Sequence, residues 1–126
     1  MATRPHGVQP APTEAIILTT ALRRAADRLS IPNSVLAKAI GLSESTVSRL
    51  RRGHYVLQPG HKPFELAVLI VRLYRALDSI VAEDATASVW LKSSNSVLGG
   101  KPILLLQSVS GLINVIAYLD SRRAVV

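Results

Sequence analysis

Residues 36–53 read LAKAIGLSESTVSRLRRG, and this stretch decides the fold of the N-terminal half of the chain. Ala37, Gly41, Val47 and Leu50 stand at relative positions 0, 4, 10 and 13, the spacing of a helix-turn-helix. A small Ala37 lets the second helix cross close over the first, and Gly41 can adopt the left-handed backbone that ends a helix in a sharp turn. Val47 and Leu50, three residues apart, place an apolar stripe on the second helix.

The opposite face of this second helix carries hydroxyl and guanidinium groups. Such groups suit the base edges and phosphates of DNA, and Ser43 is a good N-cap for the helix. An ordinary helical hairpin with a solvated basic face is the alternative, but such hairpins seldom combine this spacing with cations on the outward side. We therefore predict a DNA-binding helix-turn-helix that contacts DNA through Ser43, Ser45, Thr46, Ser48, Arg49, Arg51 and Arg52.

Composition and charge agree with a basic helical protein. The 126 residues can form one good core or two small subdomains. The chain is 48% hydrophobic with one Phe and one Trp, and the abundance of Ala and Leu predicts an all-α fold. Of the net charge of +7, residues 1–62 carry +6, with nine Lys and Arg against three Asp and Glu. A polyanionic partner is therefore expected for the N-terminal half.

The N-terminal half divides into an arm and a helical unit. Residues 1–12 contain three prolines and no apolar period, which predicts a disordered arm. Thr13 can cap a first helix that reaches about Leu29, with Leu18, Leu22, Ala25 and Leu29 on one inward face. The helix-turn-helix follows, so residues 13–62 are predicted to form the DNA-binding domain, ending in a linker over 54–62.

Residues 63–126 are predicted to form a second helical domain. A long helix starts at Pro63 and reaches about Ile80, and its apolar residues lie on more than one side. A short chain has little material to cover such a helix, so self-association is expected. Further helices are predicted from Glu83, from Pro102 to about 107, and from Ser110 as an N-cap, with a loop over 93–101.

No catalytic or metal-binding pattern is found in the sequence. Gly99–Gly100–Lys101 superficially resembles a phosphate loop, but that motif needs glycine at Asn95 and Ser or Thr at Pro102. The three histidines lie in predicted loops without acidic partners at ligand spacing. We expect no enzyme activity, no metal and no cofactor. The absence of cysteine, of a signal peptide and of a long apolar run predicts a soluble cytoplasmic protein.

From about Lys62 onward the chain resembles the toxin-binding domain of the Xre/MbcA/ParS antitoxins. The resemblance rests on Trp90–Leu91, Asn95, the stretch 98–102 with sequence LGGKP, the apolar residues 103–106, and the helix start Ser110–Gly111–Leu112. In that family a Trp-Leu helix, an Asn…Leu-Gly-Gly-x-Pro loop, a short helix and a Gly-Leu helix start follow one another. The match covers roughly 40 residues, and a helix-turn-helix precedes it, as in the family.

The resemblance implies a binding protein that neutralises an NAD-consuming RES-domain toxin in a type II toxin–antitoxin pair. It also implies dimers that bind double-stranded operator DNA at the promoter of their own operon. In the related antitoxins the final residues enter or cover the active-site cleft of the toxin. The toxin-binding residues implied here are Trp90, Leu98, Gly99, Gly100, Lys101, Arg122, Arg123, Ala124, Val125 and Val126.

Two functions remain open on the sequence. The first is an antitoxin that blocks its toxin and represses its own operon. The second is a stand-alone transcriptional repressor whose C-terminal domain only dimerises. Both predict a basic N-terminal half and an apolar C-terminal half, and the LGGKP loop with the Ser110–Gly111–Leu112 helix start favours the antitoxin.

Overall fold

The computed structural model describes residues 12–123, which form seven α-helices and no β-strand. The all-α prediction is thus confirmed. The predicted arm, apart from Pro12, and residues 124–126 lie outside the described residues. In chain order the helices are α1 (Thr13–Arg28), α2 (Asn33–Ile40), α3 (Glu44–Arg51), α4 (Lys62–Ile80), α5 (Asp84–Lys92), α6 (Pro102–Leu105) and α7 (Val109–Arg123).

Helix α1 follows the predicted apolar period. Leu22, Ala25 and Leu29 are buried as expected, while Leu18 is half-buried. The prediction that Thr13 caps the helix is wrong, because Pro12 occupies the N-cap and Thr13 is already the first helical residue. Proline fits this position because its fixed φ is compatible with the chain entering a helix.

Helix α4 lies at the centre of the fold and packs against α1, α2, α5 and α7. It buries seven of its residues within the chain, namely Leu66, Ala67, Ile70, Val71, Leu73, Ala76 and Leu77. The chain therefore covers more of this helix than its length suggested, mainly with α1 and α7. Self-association stays a prediction. Among its large apolar side chains, Val68 and Ile80 stay exposed, at 45% and 43%.

The C-terminal helices form a compact layer in which α6 packs on α5 and α7. Helix α6 ends at Leu105, short of the predicted limit near 107. Helix α7 begins at Val109, so the prediction that Ser110 caps it is wrong. The hydroxyl of Ser108 instead accepts a hydrogen bond of 3.1 Å from the Gly111 amide. A Cβ added at Gly111 would overlap the Leu105 carbonyl oxygen, which explains why glycine occupies this position.

Three polar contacts join α4 to the helices that flank it. Arg28 at the end of α1 donates to the Tyr74 hydroxyl (3.1 Å), which lies 3.4 Å from an Asp84 oxygen. The hydrogen bond to Tyr74 raises the pKa of Arg28 above its ordinary value. Arg72 of α4 binds Asp120 of α7 at 2.9 Å. Because α4 contacts the helices on both of its sides, the domain division between 62 and 63 stays a prediction.

No helix within residues 12–123 has the length and apolar character needed to cross a membrane.

Candidate functional site

The helix-turn-helix forms as its spacing predicts. Gly41 ends α2 with φ of 77°, a left-handed conformation that a side chain would strain. Its amide and that of Leu42 both bind the Ala37 carbonyl, at 2.9 and 3.0 Å, which closes the helix end. Val47 and Leu50 of α3 have no exposed surface. The apolar stripe therefore seats α3 on α2 and turns its other side to solvent.

Ser43 organises the outward face at the start of α3. Its hydroxyl accepts a hydrogen bond of 3.1 Å from the Thr46 amide, which confirms the predicted N-cap. The same hydroxyl lies 2.9 Å from the Thr46 hydroxyl and 3.1 Å from that of Ser45. Ser43 and Ser45 are exposed, whereas Thr46 and Ser48 are half-buried. Three hydroxyl groups thus meet at the helix N-terminus, where the helix dipole favours an anion.

Two arginines are exposed along this face. Arg49 donates to the Thr46 hydroxyl at 3.2 Å, and its guanidinium lies 5.8 Å from the centre of the Tyr55 ring. These two contacts hold Arg49 in one orientation beside the serine cluster. Arg52 is exposed at the C-terminal end of α3. Both positive charges therefore face solvent.

Arg51 lies on the inner side of α3, and its side chain is only 18% exposed. One terminal nitrogen donates to the Ile31 carbonyl at 2.6 Å and to the Asn33 side-chain oxygen at 2.9 Å. The other terminal nitrogen and Nε donate to Asp27, at 3.1 and 3.3 Å. The guanidinium thus ties α3 to the end of α1 and the start of α2. The guanidinium donors of Arg51 are bound to groups of the chain itself. The contact of Arg51 with DNA stays a prediction.

The loop before α6 is a tight turn closed on Asn95. The side-chain oxygen of Asn95 accepts from the Leu98 amide at 3.1 Å, and its backbone pairs with Gly100 in an isolated bridge. Gly99 has φ of 80°, which favours glycine. Leu98 is half-buried against the core, while Lys101 is exposed directly before α6. The turn therefore presents Gly99 and Lys101 at the surface.

Trp90 forms an aromatic stack at the surface next to the end of α7. Its ring lies 6.2 Å from that of Tyr118, centre to centre, with 14° between their planes. The Arg122 guanidinium lies 5.5 Å from the Tyr118 ring centre. Trp90 and Tyr118 are half-buried, and Arg122 is exposed. We call Trp90, Tyr118 and Arg122 the aromatic stack.

The structure brings together some of the predicted toxin-binding residues. Trp90 and Arg122 share the aromatic stack, whereas Leu98, Gly99, Gly100 and Lys101 belong to the turn that precedes α6. Arg123 binds Asp120 at 3.5 Å, within hydrogen-bond reach on the exposed end of α7. Residues 124–126 follow α7 and lie outside the described residues.

Sequence reasoning missed two aromatic residues and one arginine at these surfaces. Tyr55 orients Arg49, and Tyr118 joins Trp90 to Arg122. The spacing of four between Tyr118 and Arg122 was a usable signal, because residues four apart meet on a helix. The Arg23 guanidinium lies beside Gly53, at the end of the helix-turn-helix. No local pattern links Arg23 to α3, because the two are distant in sequence.

Neither surface has the chemistry of a metal site. Within residues 12–123, no group of three or more His, Cys, Asp or Glu side chains is arranged to hold a metal ion.

Two family models match the chain. Residues 10–72 match the antitoxin Xre-like helix-turn-helix domain. Residues 76–124 match the antitoxin Xre/MbcA/ParS C-terminal toxin-binding domain. No curated protein matches the chain.

The first of these matches contains α1, α2 and α3, including the basic outward face, and the second contains the Asn95 turn and the aromatic stack. Both agree with the resemblance seen in the sequence. The chain belongs to the Xre-like helix-turn-helix antitoxins and carries their C-terminal toxin-binding domain.

Proposed function

We propose that this antitoxin blocks a RES-domain, NAD-consuming toxin through its C-terminal domain and represses its own operon, as a homodimer, through α3. The match of residues 76–124 to a toxin-binding domain carries the proposal, because a stand-alone repressor has no use for such a domain. In this proposal the chain acts by binding and performs no chemistry itself. It works in the cytoplasm, where both partners would be found.

The toxin contacts the aromatic stack, the turn before α6 and the tail that follows Arg123. The stack supplies half-buried aromatic surface with a guanidinium at its edge, and such groups are enriched at the centres of protein interfaces. Lys101 and Arg122 are both exposed and add positive charge. The tail, Ala124 to Val126, is small and apolar and suits a narrow cleft. Together they block substrate entry by occupying the active-site mouth of the toxin.

The toxin-binding test uses variants that leave the core intact. Arg122→Glu and deletion of residues 124–126 should each weaken toxin binding about tenfold or more, because each removes a contact at the interface. Lys38→Glu reverses an exposed charge on α2 and is the matched control. Calorimetry with the purified toxin from the neighbouring gene measures affinity, and NAD consumption measures neutralisation. Full neutralisation by both variants, or a neighbouring toxin that spares NAD, contradicts the proposal.

DNA binding uses the face that holds Ser43, Ser45, Thr46, Arg49 and Arg52. The hydroxyl cluster can receive a phosphate at the N-terminus of α3, and Arg49 is already oriented by Tyr55. A bidentate contact from an arginine to guanine is the commonest specific contact in the major groove. Two copies are needed, since paired half-sites lie about 34–36 Å apart.

Gel shifts with the upstream region of the operon test this face. Arg49→Ala should weaken binding to the operator by about 1–3 kcal/mol while changing binding to unrelated DNA less. Arg52→Ala should weaken binding to all sequences and reduce the salt slope of the homodimer by about two units, one for each copy, since each phosphate contact releases counterions. Arg24→Ala removes an exposed cation from α1 and serves as the control. The absence of any shift with the wild-type protein at low salt would exclude this role.

A further inference from the structure

An open groove lies between α1 and α4, with a volume of about 640 Å³. The α1 wall is formed by Glu14, Ile17, Leu18 and Ala21, which stand at positions i, i+3, i+4 and i+7 of the helix. This spacing makes a continuous stripe along one side of α1. Ile17 is 63% exposed although it lies in the middle of the stripe.

The α4 wall repeats the same spacing with different chemistry. It consists of Val68, Val71, Arg72 and Arg75, again at i, i+3, i+4 and i+7. Val68 is 45% exposed, and Arg72 and Arg75 are exposed at the C-terminal end of the stripe. Arg123 at the end of α7 completes the lining. The groove thus has an apolar floor, one acidic group on the α1 wall and three arginines on the opposite side.

We propose that this groove is the surface through which two copies of the chain associate, with each α1 lying over the partner's α4. In a two-fold dimer the same patch is used twice, so a residue of one wall meets a residue of the opposite wall of the partner. Glu14 then faces the partner's Arg75, and this pair occurs twice. Ile17 and Val68 of both copies meet in the centre. The inference rests on one part of the proposed function, the homodimer, and names the surface that forms it.

The charges select a second copy over other occupants. Among the described residues, neither Glu14 nor Arg75 has an ion-pair partner within 4.0 Å, whereas Arg72 and Arg123 are both paired with Asp120. The apolar tail, Ala124 to Val126, has no charged side chain to offer either of them. An acidic partner protein would leave Glu14 facing a like charge. A second copy brings a partner for both.

A charge-swap experiment tests the interface on the full chain without DNA or toxin. Glu14→Arg and Arg75→Glu each place like charges opposite one another twice, and each should raise the dimer dissociation constant about tenfold. Mixing the two single variants should restore association, because every charge in the mixed dimer then faces its opposite. The double variant should also dimerise. Sedimentation velocity over a concentration series measures the wild-type protein, the two single variants, their mixture and the double variant.

A second pair of variants tests the apolar floor. Ile17→Asp should raise the dimer dissociation constant about a hundredfold or more, because each of the two copies then buries a carboxylate at the interface. Ile113→Asp changes an exposed apolar residue of the same type outside the groove, 50% exposed against 63% for Ile17, and should leave association unchanged. Circular dichroism confirms that both variants fold.

Three outcomes overturn the proposal. The first is a wild-type protein that stays monomeric at 100 micromolar, because a specific dimer has a dissociation constant of roughly this value or lower. The second is a dimer that persists in Ile17→Asp. The third is a dimer that forms only in the variant lacking residues 124–126, which assigns the groove to the chain's own tail. Since DNA shifts and toxin neutralisation are measured separately, failure here leaves the antitoxin role standing.

Discussion

Two adjacent arginines of α3, Arg51 and Arg52, should have separable roles in stability and DNA binding. Arg51→Ala removes two hydrogen bonds from a charged donor, to the Ile31 carbonyl and the Asn33 side chain, each worth about 1–2 kcal/mol. It also removes the ion pair with Asp27, whose side chain is 68% exposed, so this adds only about 0.5 kcal/mol. The expected loss is about 2.5–4.5 kcal/mol of unfolding free energy.

Arg52→Ala should change stability by less than about 0.5 kcal/mol, because the side chain is exposed and, within residues 12–123, forms no side-chain hydrogen bond or ion pair with another element. For a chain of this size, the difference in unfolding free energy between the two variants corresponds to a melting temperature about 10 °C lower for Arg51→Ala than for Arg52→Ala. Thermal and urea unfolding followed by circular dichroism measure both variants. DNA binding at 15 °C, where both proteins are folded, then gives the salt slope of each.

Arg51→Lys distinguishes the two roles of Arg51 itself. Lysine keeps the positive charge that a phosphate contact needs, but it lacks the planar fork that reaches several acceptors. A structural role predicts that Arg51→Lys is almost as unstable as Arg51→Ala, with the wild-type salt slope. The reasoning would be refuted if Arg51→Ala were as stable as the wild-type protein but showed a reduced salt slope in DNA binding.

Substitutions at four further positions test other parts of the fold. Gly111→Ala should destabilise the chain by about 2–4 kcal/mol, because its Cβ would overlap an α6 carbonyl, while Gly100→Ala, with open space around it, should cost less than about 1 kcal/mol in the same urea titration. Ser43→Asp should keep the α3 cap and its stability but weaken operator binding in gel shifts, because its carboxylate faces phosphate. Asn95→Ala should lose about 1 kcal/mol in thermal unfolding and Asn95→Asp much less, since only the latter keeps an acceptor for the Leu98 amide.

The features that the sequence predicted best depend on neighbours within one turn of helix. Gly41, Ser43, Val47 and Leu50 occupy the expected places because a helix end, an N-cap and an apolar stripe are all local patterns. Cap residues elsewhere were misplaced by one or two positions. Thr13 is an example: its hydroxyl suits a cap, but the chain already enters the helix after Pro12.

The features that the sequence did not predict depend on contacts between distant elements. The sequence showed that α4 is apolar on more than one side. How much of this apolar surface α7 covers depends on how the two helices pack. The stack of Trp90 on Tyr118 joins residues 28 positions apart, which no helical period connects. The groove between α1 and α4 arises in the same way, from two stripes that are visible separately but whose alignment is set by packing.

The inward position of Arg51 was nevertheless available from helix geometry. At about 100° per residue, Arg51 lies roughly 200° around the helix from Arg49, and it follows the buried Val47 by one turn. Arg52 is only about 60° from Arg49, so these two share the outward face. The cluster of three arginines therefore offers DNA two charges per copy rather than three. With Arg49 on guanine and Arg52 on phosphate, α3 of a dimer should account for about two phosphate contacts in the salt slope, and a larger slope would require other cations such as Arg23.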